Sequence, residues 1–294
     1  MSLIVLGAGP AALVQDLGRP GHAHVGVTGS GAADRASAAL ALRCVGTDPA
    51  AAVLEVLLGG LALMTDQPAM VAVTGARTRL VVVTPEGSRR SAAVGEVLAL
   101  ESGSTLEIGR PTSGVRSYVA VRGGIDVPPV LGSRSRDTLS GLGPPPVEAG
   151  TVLDVGDAVV GPWAERWHAT SVHRDAAPGP VVLDVLPGPR DDLFPDEAWR
   201  TLAMDGHVSG HADRVGVRID PAAPVRRIAR EEIPSEGMVR GAVQIPADGS
   251  PVVFGPDHPV TGGYPVIGVL TSSSADAISQ LLPGEPVRFR RVAP

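Results

Sequence analysis

Polar residues that could carry chemistry occur first in a loop near the N-terminus. Asp16 and Arg19 lie in the stretch QDLGRPGHAH at 15–24, and Asp34 closes the stretch SGAAD at 30–34. Loops rich in glycine and proline that also hold carboxylates and a guanidinium are common places for binding and catalysis. In the alternative interpretation, the two aspartates cap turns and a following helix. We keep both, with Asp16 and Asp34 as candidate catalytic residues and Arg19 as a candidate substrate ligand.

A second group is rich in arginine and lies at 114–137. Arg116 and Arg122 are six residues apart, so in one extended strand they would face the same side. A guanidinium can hold a planar carboxylate or phosphate through two parallel hydrogen bonds, which makes Arg122 a candidate substrate ligand. Alternatively, these arginines pair with Asp126 or Asp137 at a contact between domains.

A third group lies in the C-terminal half, in HADR at 211–214, GAVQ at 241–244 and TGGY at 261–264. The backbone amides of 261–263 could form an anion-binding nest with the tyrosine hydroxyl beside it. The alternative is a Gly-Gly turn in a hairpin with the tyrosine packed across it. The candidate catalytic residues of this group are Asp213, Arg214 and Tyr264, and its candidate substrate ligands are Gln244, Thr261, Gly262 and Gly263.

The absence of lysine excludes several familiar chemistries. All 25 basic residues are arginine, so the chain has no lysine for a Schiff base, a Walker-type phosphate loop or the attachment of biotin. Cys44 is the only cysteine, which excludes an intrachain disulfide and a cysteine-only metal site. His22 and His24 supply only two ligands. We therefore expect no metal site and no biotin on this chain.

Nucleotide, nucleic-acid and membrane binding are also disfavoured. GAGPAA at 7–12 has the spacing of a dinucleotide-binding fingerprint, but Pro20 and its neighbouring glycines would end any helix that followed. This favours a strand that ends in a Gly-Pro turn. A net charge of −6 with 3% aromatic residues argues against nucleic acid. The apolar stretch at 50–64 is broken by Glu55 and two glycines, so we expect no membrane span. Without a signal peptide, the expected location is the cytoplasm.

The elements that must position these groups are mostly strands. Glycine (37 residues) and proline (28 residues) punctuate short runs of valine, leucine and isoleucine, which is typical of mainly β folds. Two helices are predicted, one over 33–44 with Ser30 or Asp34 near its start, and one over 275–282 with Ser274 as N-cap. The predicted strands are 70–73, 80–83, 97–100, 118–121, 181–186, 252–254, 267–270 and 287–289.

A change of composition at 161–180 predicts a linker between two domains, 1–165 and 178–294. SGAADR at 30–35 is similar to SGHADR at 209–214. Short repeats of this kind favour a duplicated barrel.

These motifs, in this order, resemble the family of the C subunit of bacterial 5-oxoprolinase. Members also carry the names biotin-dependent carboxyltransferase, allophanate hydrolase subunit 2 and antagonist of the Kip kinase inhibitor. The resemblance covers nearly the whole chain. The stretches that carry it are QDLGRPG at 15–21, YVAVRGGI at 118–125, LGSRS at 131–135, LPGPR at 186–190, DRVGVR at 213–218, SEG at 235–237, GAVQ at 241–244 and TGGYP at 261–265.

The resemblance implies two cyclophilin-like β-barrel domains with a few short helices. It also implies one component of a hetero-oligomeric enzyme that, with the B and A subunits of 5-oxoprolinase, opens 5-oxoproline to glutamate. ATP with Mg would be bound at the level of that complex. Two other roles stay open. One is a carboxyltransferase-type component of a biotin-dependent urea or amide carboxylase or of an allophanate hydrolase system. The other is a non-catalytic partner of a kinase inhibitor.

Overall fold

The computed structural model describes residues 1–164, 179–228 and 233–293, which form two compact units. The first unit contains 1–19, 34–136 and the described residues from 141 to 164. The second unit contains 20–33, 137–140 and the described residues from 179 onward.

Two short segments of the N-terminal half, 20–33 and 137–140, thus belong to the unit that the C-terminal half forms. The predicted division into 1–165 and 178–294 does not include such an exchange, because no change of composition marks either segment. The linker predicted at 161–180 lies mostly outside the described residues.

The described part of the first unit consists of strands and one helix. Its helix is α1 (Arg35–Cys44). Its strands are β1 (Ser2–Ala8), β2 (Ala11–Gln15), β3 (Val53–Leu57), β4 (Leu61–Thr65), β5 (Ala69–Arg77), β6 (Leu80–Val83), β7 (Arg89–Ala92), β8 (Val97–Leu100), β9 (Thr105–Ile108), β10 (Ser113–Val121), β11 (Ile125–Asp126) and β12 (Val152–Val155).

These strands form two antiparallel sheets that share one apolar core. One sheet has the order β11-β12-β1-β4-β9-β6-β7, and the other has the order β2-β3-β10-β5-β8. The chain passes from the first sheet to the second at Gly9, whose φ of +67° makes the predicted Gly-Pro turn. Alternate residues of both sheets are buried against each other. The core includes Leu3, Leu54, Val73, Leu98, Leu106 and Val119.

Helix α1 begins where the sequence predicts, because Asp34 is its N-cap. The Asp34 carboxylate accepts a hydrogen bond from the Ser37 backbone N–H at 2.9 Å. Such a cap satisfies one of the backbone donors that every helix leaves open at its start. The helix packs on β5 and β10.

The second unit contains a closed barrel with the strand order β13-β20-β17-β18-β15-β14-β21. A two-stranded ribbon, β16 with β19, lies outside it. The strands are β13 (Val181–Pro187), β14 (Gly206–Ala212), β15 (Gly216–Asp220), β16 (Glu236–Gly237), β17 (Ala242–Gln244), β18 (Val252–Phe254), β19 (Thr261–Gly262), β20 (Val266–Leu270) and β21 (Pro286–Arg291). The helices are α2 (Asp196–Leu202) and α3 (Ser272–Ile278).

The prediction of a mainly β fold with a few short helices is therefore confirmed, with two local corrections. Helix α3 begins three residues earlier than expected, since Thr271 and not Ser274 is its N-cap. The sequence prediction also missed α2, a helix of only two turns after Pro195. No helix among the described residues is long and apolar enough to cross a membrane.

In the first unit, the connection that contains Gly59 lies close to the one that contains Gly109, and this contact can be tested by measuring stability. Gly59 has a φ of +71°, and a Cβ added there would lie 2.0 Å from the Gly109 carbonyl oxygen. Gly87 has a φ of +87° with nothing within 4 Å. We expect Gly87→Ala to cost about 1 kcal/mol through backbone strain alone, and Gly59→Ala to cost at least about 2 kcal/mol more. Urea unfolding measures both, and equal losses would contradict the role of the contact.

Candidate functional site

Asp16 holds a loop of its own unit. Its carboxylate accepts hydrogen bonds from the Ser133 hydroxyl at 2.6 Å, the Ser135 hydroxyl at 2.5 Å and the Arg134 backbone N–H at 2.6 Å. It also accepts one from the Gly18 N–H at 2.7 Å. With both oxygens occupied in this way, Asp16 fixes the loop at 133–135 against the end of β2.

Arg19 lies on the same loop and is 1% exposed. Its Nε donates to the Val130 carbonyl oxygen at 3.3 Å, and another guanidinium nitrogen donates to the Ser135 carbonyl oxygen. Asp16 and Arg19 are thus brought together, as their spacing suggested. What they hold is the protein's own backbone.

Asp34 belongs to a different, fully buried network in the first unit. The Tyr118 hydroxyl accepts a hydrogen bond from the Asp34 backbone N–H at 2.7 Å and donates one to Glu55 Oε2 at 3.0 Å. Glu55 in turn pairs with Arg116 at 3.4 Å. Burial, with the carboxylates of Glu55 and Asp34, raises the pKa of Tyr118 well above its ordinary value. Tyr118 therefore stays a neutral donor that joins α1 to the sheet.

Sequence reasoning placed Arg116 and Arg122 on one face and offered Asp126 or Asp137 as partners. The structure corrects the partners, since Arg116 pairs with Glu55, and Asp126 pairs with Arg134 at 2.8 Å. Arg122 lies directly beyond the end of β10.

Arg122 lies at a pocket of the first unit. It donates to the Val45 carbonyl oxygen at 2.7 Å, and its guanidinium carbon is 5.3 Å from the centroid of the Trp163 ring. It also lines a pocket of about 380 Å³ whose other walls include Met70 and Leu100. Arg122 therefore remains a candidate ligand for an anion that has an apolar part.

In the second unit, polar groups collect on the outside of the barrel. Val243, Val253 and Ile267 fill its interior, so their neighbours along the strands point outward. We call this outer surface of β14, β15, β17, β18 and β20 the barrel face. Beneath the β16–β19 ribbon, the barrel face carries a small apolar cluster of Met238, Ala242, Phe254 and Val266.

Gln244 lies on the barrel face and is 7% exposed. Its Nε2 donates to the Tyr264 carbonyl oxygen at 3.1 Å. A Cβ added at Gly262 would lie 2.7 Å from that same nitrogen. The predicted ligands Gln244, Thr261, Gly262 and Gly263 are thus brought together with Tyr264.

The predicted anion-binding nest at 261–263 is not formed. Thr261 and Gly262 are extended and pair with Gly237 and Glu236 in the ribbon. Gly262 and Gly263 both lack the positive φ that would make successive amides converge on an anion. The alternative, a Gly-Gly turn in a hairpin, is not formed either, because Thr261 and Gly262 are themselves a strand and pair with residues 24 and 26 positions earlier in the chain.

A pocket of about 770 Å³ continues the barrel face across β14, β15 and β18. Val252 and Phe254 belong both to its wall and to the apolar cluster beneath the ribbon. His211, Asp213 and Arg218 also line it. Asp213 closes the turn between β14 and β15, because its carboxylate accepts from Val215 N at 2.8 Å and Gly216 N at 3.0 Å.

A buried ion pair lies at the turns beside this pocket. Arg214 Nε donates to Asp257 Oδ2 at 2.8 Å, and Arg214 Nη2 donates to Asp257 Oδ1 at 3.0 Å. Asp257 also accepts from the Ser30 hydroxyl at 2.6 Å and from the Thr138 N–H at 2.9 Å. Arg214 Nη2 donates further to the Gly31 carbonyl oxygen at 2.7 Å. The pair therefore ties both segments from the N-terminal half into the second unit.

A second arginine repeats this arrangement. Arg240 Nη2 donates to Asp276 at 2.6 Å and to the Ala33 carbonyl oxygen at 2.7 Å. We call residues 28–33 the strap. It is held by two arginines, each of which also binds a nearly buried aspartate. The sequence marked Arg214 as catalytic, and the structure shows Arg214 in an internal ion pair. Arg240 and Asp276 were not among the candidates.

The charge state of this region follows from burial and pairing. Burial would raise the pKa of the Asp257 carboxyl, but the Arg214 charge and the hydrogen bonds from Arg214, Ser30 and Thr138 hold that pKa below its ordinary value. Burial lowers the pKa of the neighbouring His258, against the opposing effects of the Pro259 carbonyl and nearby carboxylates. Both shifts favour an ionised Asp257 beside a neutral His258 at neutral pH.

Asp257→Asn tests the ion pair. Removing one partner leaves a buried guanidinium without its counter-charge, so we expect a loss of about 3 to 5 kcal/mol in the free energy of unfolding. Asp248→Asn is the control, because the Arg218–Asp248 pair is partly exposed, and it should cost less than about 1 kcal/mol. Similar losses in the two variants would contradict the importance of burial.

The same variant has a defined pH dependence. The folded-state pKa of Asp257 is depressed, so its stabilisation is fully present above the unfolded value of about 3.9 and is lost as pH falls through the folded pKa. We therefore expect the difference in unfolding free energy between wild type and Asp257→Asn to shrink on acidification below about pH 4. A difference that stays constant down to pH 2 would contradict this assignment.

Gly262→Ala tests the packing against Gln244. The new methyl group would displace the Gln244 amide, so we expect a shift of its side-chain N–H resonances and faster exchange of those protons in NMR spectra. Gly237→Ala is the control from the facing strand of the ribbon, since nothing lies within 4 Å of a Cβ there. Unchanged Gln244 resonances in Gly262→Ala would show that the amide is not held there.

The sequence and the fold of this chain are similar to those of known proteins. The family model "carboxyltransferase domain, subdomain A and B" matches residues 25–291. The chain is 32% identical to the 5-oxoprolinase C subunit of Escherichia coli, over 98% of this chain and 90% of that protein.

Two solved structures are similar throughout. The crystal structure of TTHA0988 superposes with a TM-score of 0.83 at 32% identity, over 98% of this chain and 56% of that one. The urea amidolyase of Kluyveromyces lactis gives a TM-score of 0.86 at 26% identity, over 99% of this chain and 19% of that one. This chain thus spans about half of the first structure and a fifth of the second. The extent of the family match and the identity to the E. coli protein show that the chain belongs to the carboxyltransferase domain family, whose model comprises subdomains A and B.

Proposed function

We propose that this chain acts as the C subunit of an ATP-dependent 5-oxoprolinase, which opens 5-oxoproline to glutamate. The observation that carries the proposal is the match to the E. coli protein of that name, which extends over 98% of this chain and 90% of that one. A relative that is named as one of several subunits supports a role within a larger enzyme. In this proposal the partners are the B and A subunits of 5-oxoprolinase, and the complex works in the cytoplasm.

The chemistry suits a division of labour between subunits. A lactam is an unreactive amide, and ATP with Mg, bound at the level of the complex, would supply activation of its carbonyl oxygen. This chain has no lysine, so a basic side chain of this chain that pairs with a negative charge on a transferred group would be an arginine. We assign binding and orientation of the substrate to the barrel face, where neutral hydrogen-bonding groups lie beside an apolar cluster.

The sequence candidates divide by what their polar atoms contact. We propose that Gln244, Thr261 and Tyr264 face the substrate. Arg122 is proposed separately as a ligand for an anion at the pocket of the first unit. Gly262 leaves room for the Gln244 amide because it has no Cβ, and Gly263 stays a proposed ligand next to it in the chain. The remaining candidates, proposed to hold loops, turns and the strap, are Asp16, Arg19, Asp34, Asp213 and Arg214.

A second candidate function is transfer of a carboxyl group to urea or a related amide. The observation in its favour is the family model together with the TM-score of 0.86 to a urea amidolyase. Biotin would then be carried by another chain, because this one has no lysine to which it could be attached.

Reconstitution distinguishes the two functions. We expect the chain, mixed with its co-encoded partners, ATP, Mg and 5-oxoproline, to release glutamate, and we expect this activity to disappear when the chain is left out. Omitting each other component in turn is the control. A complete mixture that releases no glutamate but carboxylates urea from a biotin carrier would favour the second function. A mixture that does neither would favour a regulatory partner of a kinase inhibitor.

A further inference from the structure

The Gln244 side chain is the best-oriented polar group on the barrel face. It extends from β17 toward the β16–β19 ribbon, where Gly262 and Met238 flank it. Its Nε2 donates to the Tyr264 carbonyl oxygen. A carbonyl oxygen can only accept a hydrogen bond, so this contact fixes which end of the amide is nitrogen and which is oxygen.

The amide is also held in place sterically. Only a hydrogen atom at Gly262 leaves room for Nε2, since a Cβ there would approach it to 2.7 Å. The Met238 side chain lies against the same position, with its Cε 3.3 Å from that Cβ. The Gln244 oxygen is therefore a pre-oriented acceptor, and no donor among the described residues hydrogen-bonds to it. Pre-orientation of this kind raises selectivity because little side-chain freedom is lost on binding.

The surroundings determine what such an acceptor selects. Glu236 of the ribbon is paired, since Arg190 Nε donates to it at 2.8 Å. The Arg227 guanidinium carbon lies 5.9 Å from the centroid of the Tyr264 ring, and this positive charge also disfavours a cation here. The floor is apolar, formed by the cluster that contains Phe254 and Val266. A neutral acceptor in such a place favours a neutral N–H over a cation, because an ammonium group would lose its hydration without gaining a counter-charge.

We propose that Gln244 Oε1 accepts the N–H of a neutral cyclic or ureido amide, and that this contact makes the site selective for lactam over lactone. The inference rests on the proposed function, since it assigns a substrate N–H to the same barrel face. It gives Gln244 a role as specificity-determining residue.

The test compares two ligands on the assembled complex without ATP. The probes are 5-oxoproline and its lactone analogue, in which a ring oxygen replaces the N–H, and the dissociation constants are measured by calorimetry. We expect wild type to prefer the lactam by about 10-fold. In the lactone, the ring oxygen would face Gln244 Oε1 with no proton between the two acceptors, and such a contact weakens binding by about that factor. Gln244→Met should lose this preference, because its affinity for the lactam falls with the lost hydrogen bond while the lactone, freed of the opposing acceptor, binds no more weakly than before. Gln67→Met, at an exposed bend of the first unit, should behave as wild type.

Each outcome decides the proposal. A merely structural role of Gln244 would weaken both ligands equally and would overturn it, as would a preference retained in Gln244→Met. If Gln244→Met does not fold, Gly262→Ala displaces the same amide and should likewise remove the preference. Glutamate release by the wild-type complex with no lactam preference would refute the inference and leave the proposed function standing. Absence of glutamate release would refute the function itself and this inference with it.

Discussion

The second unit depends on the ion pair between Arg214 and Asp257. A carboxylate that leaves water must regain its hydration from fixed donors, and Asp257 does so with both oxygens. The donors come from the β14–β15 turn, from Ser30 and from Thr138. One buried anion thus fixes three segments that are far apart in the sequence, and the turns beside the barrel-face pocket take their position from it.

Arg240 and Asp276 extend the same principle at the other end of the strap. In both places the Nη2 group of an arginine donates to a carboxylate oxygen and to a carbonyl oxygen of the strap. Arginine suits this because its donors point in fixed and different directions, which a single ammonium group cannot reproduce. The absence of lysine from the chain is therefore compatible with how its internal charges are used.

The barrel interior explains why the candidate site lies outside it. Its inward positions are filled by apolar residues such as Leu183, Val243 and Ile267. Outward positions of the same strands are free to carry polar groups, and the ribbon covers part of them. Gln244 is held at the covered part, beside the open pocket that His211 and Arg218 line.

The local features were predictable from the sequence, and the distant pairings were not. Strands at 80–83, 97–100 and 252–254 have the predicted bounds, because a glycine or proline lies within two residues of at least one end of each. The Asp34 cap was also foreseeable, since its partner is three residues away.

No local pattern reveals that Asp257 pairs with Arg214 or that Tyr118 joins Asp34 to Glu55, because these contacts depend on the finished topology. The contacts of the repeated motif are local. Asp34 and Asp213 occupy matching places in SGAADR and SGHADR; Asp34 caps α1, and Asp213 accepts hydrogen bonds within the turn between β14 and β15.

The strap also constrains the order of events during synthesis. Gly31 and Arg214 are 183 residues apart, and Ala33 and Arg240 are 207 apart. The strap is synthesised before both of the arginines that hold it. The second unit can therefore complete its folding only after Arg240 has been synthesised, through contacts of long sequence separation that form slowly. The strap and the residues before it, 20–33, are rich in glycine and have Val25 and Val27 as their only large apolar residues. This segment therefore has little tendency to aggregate before its partners are synthesised.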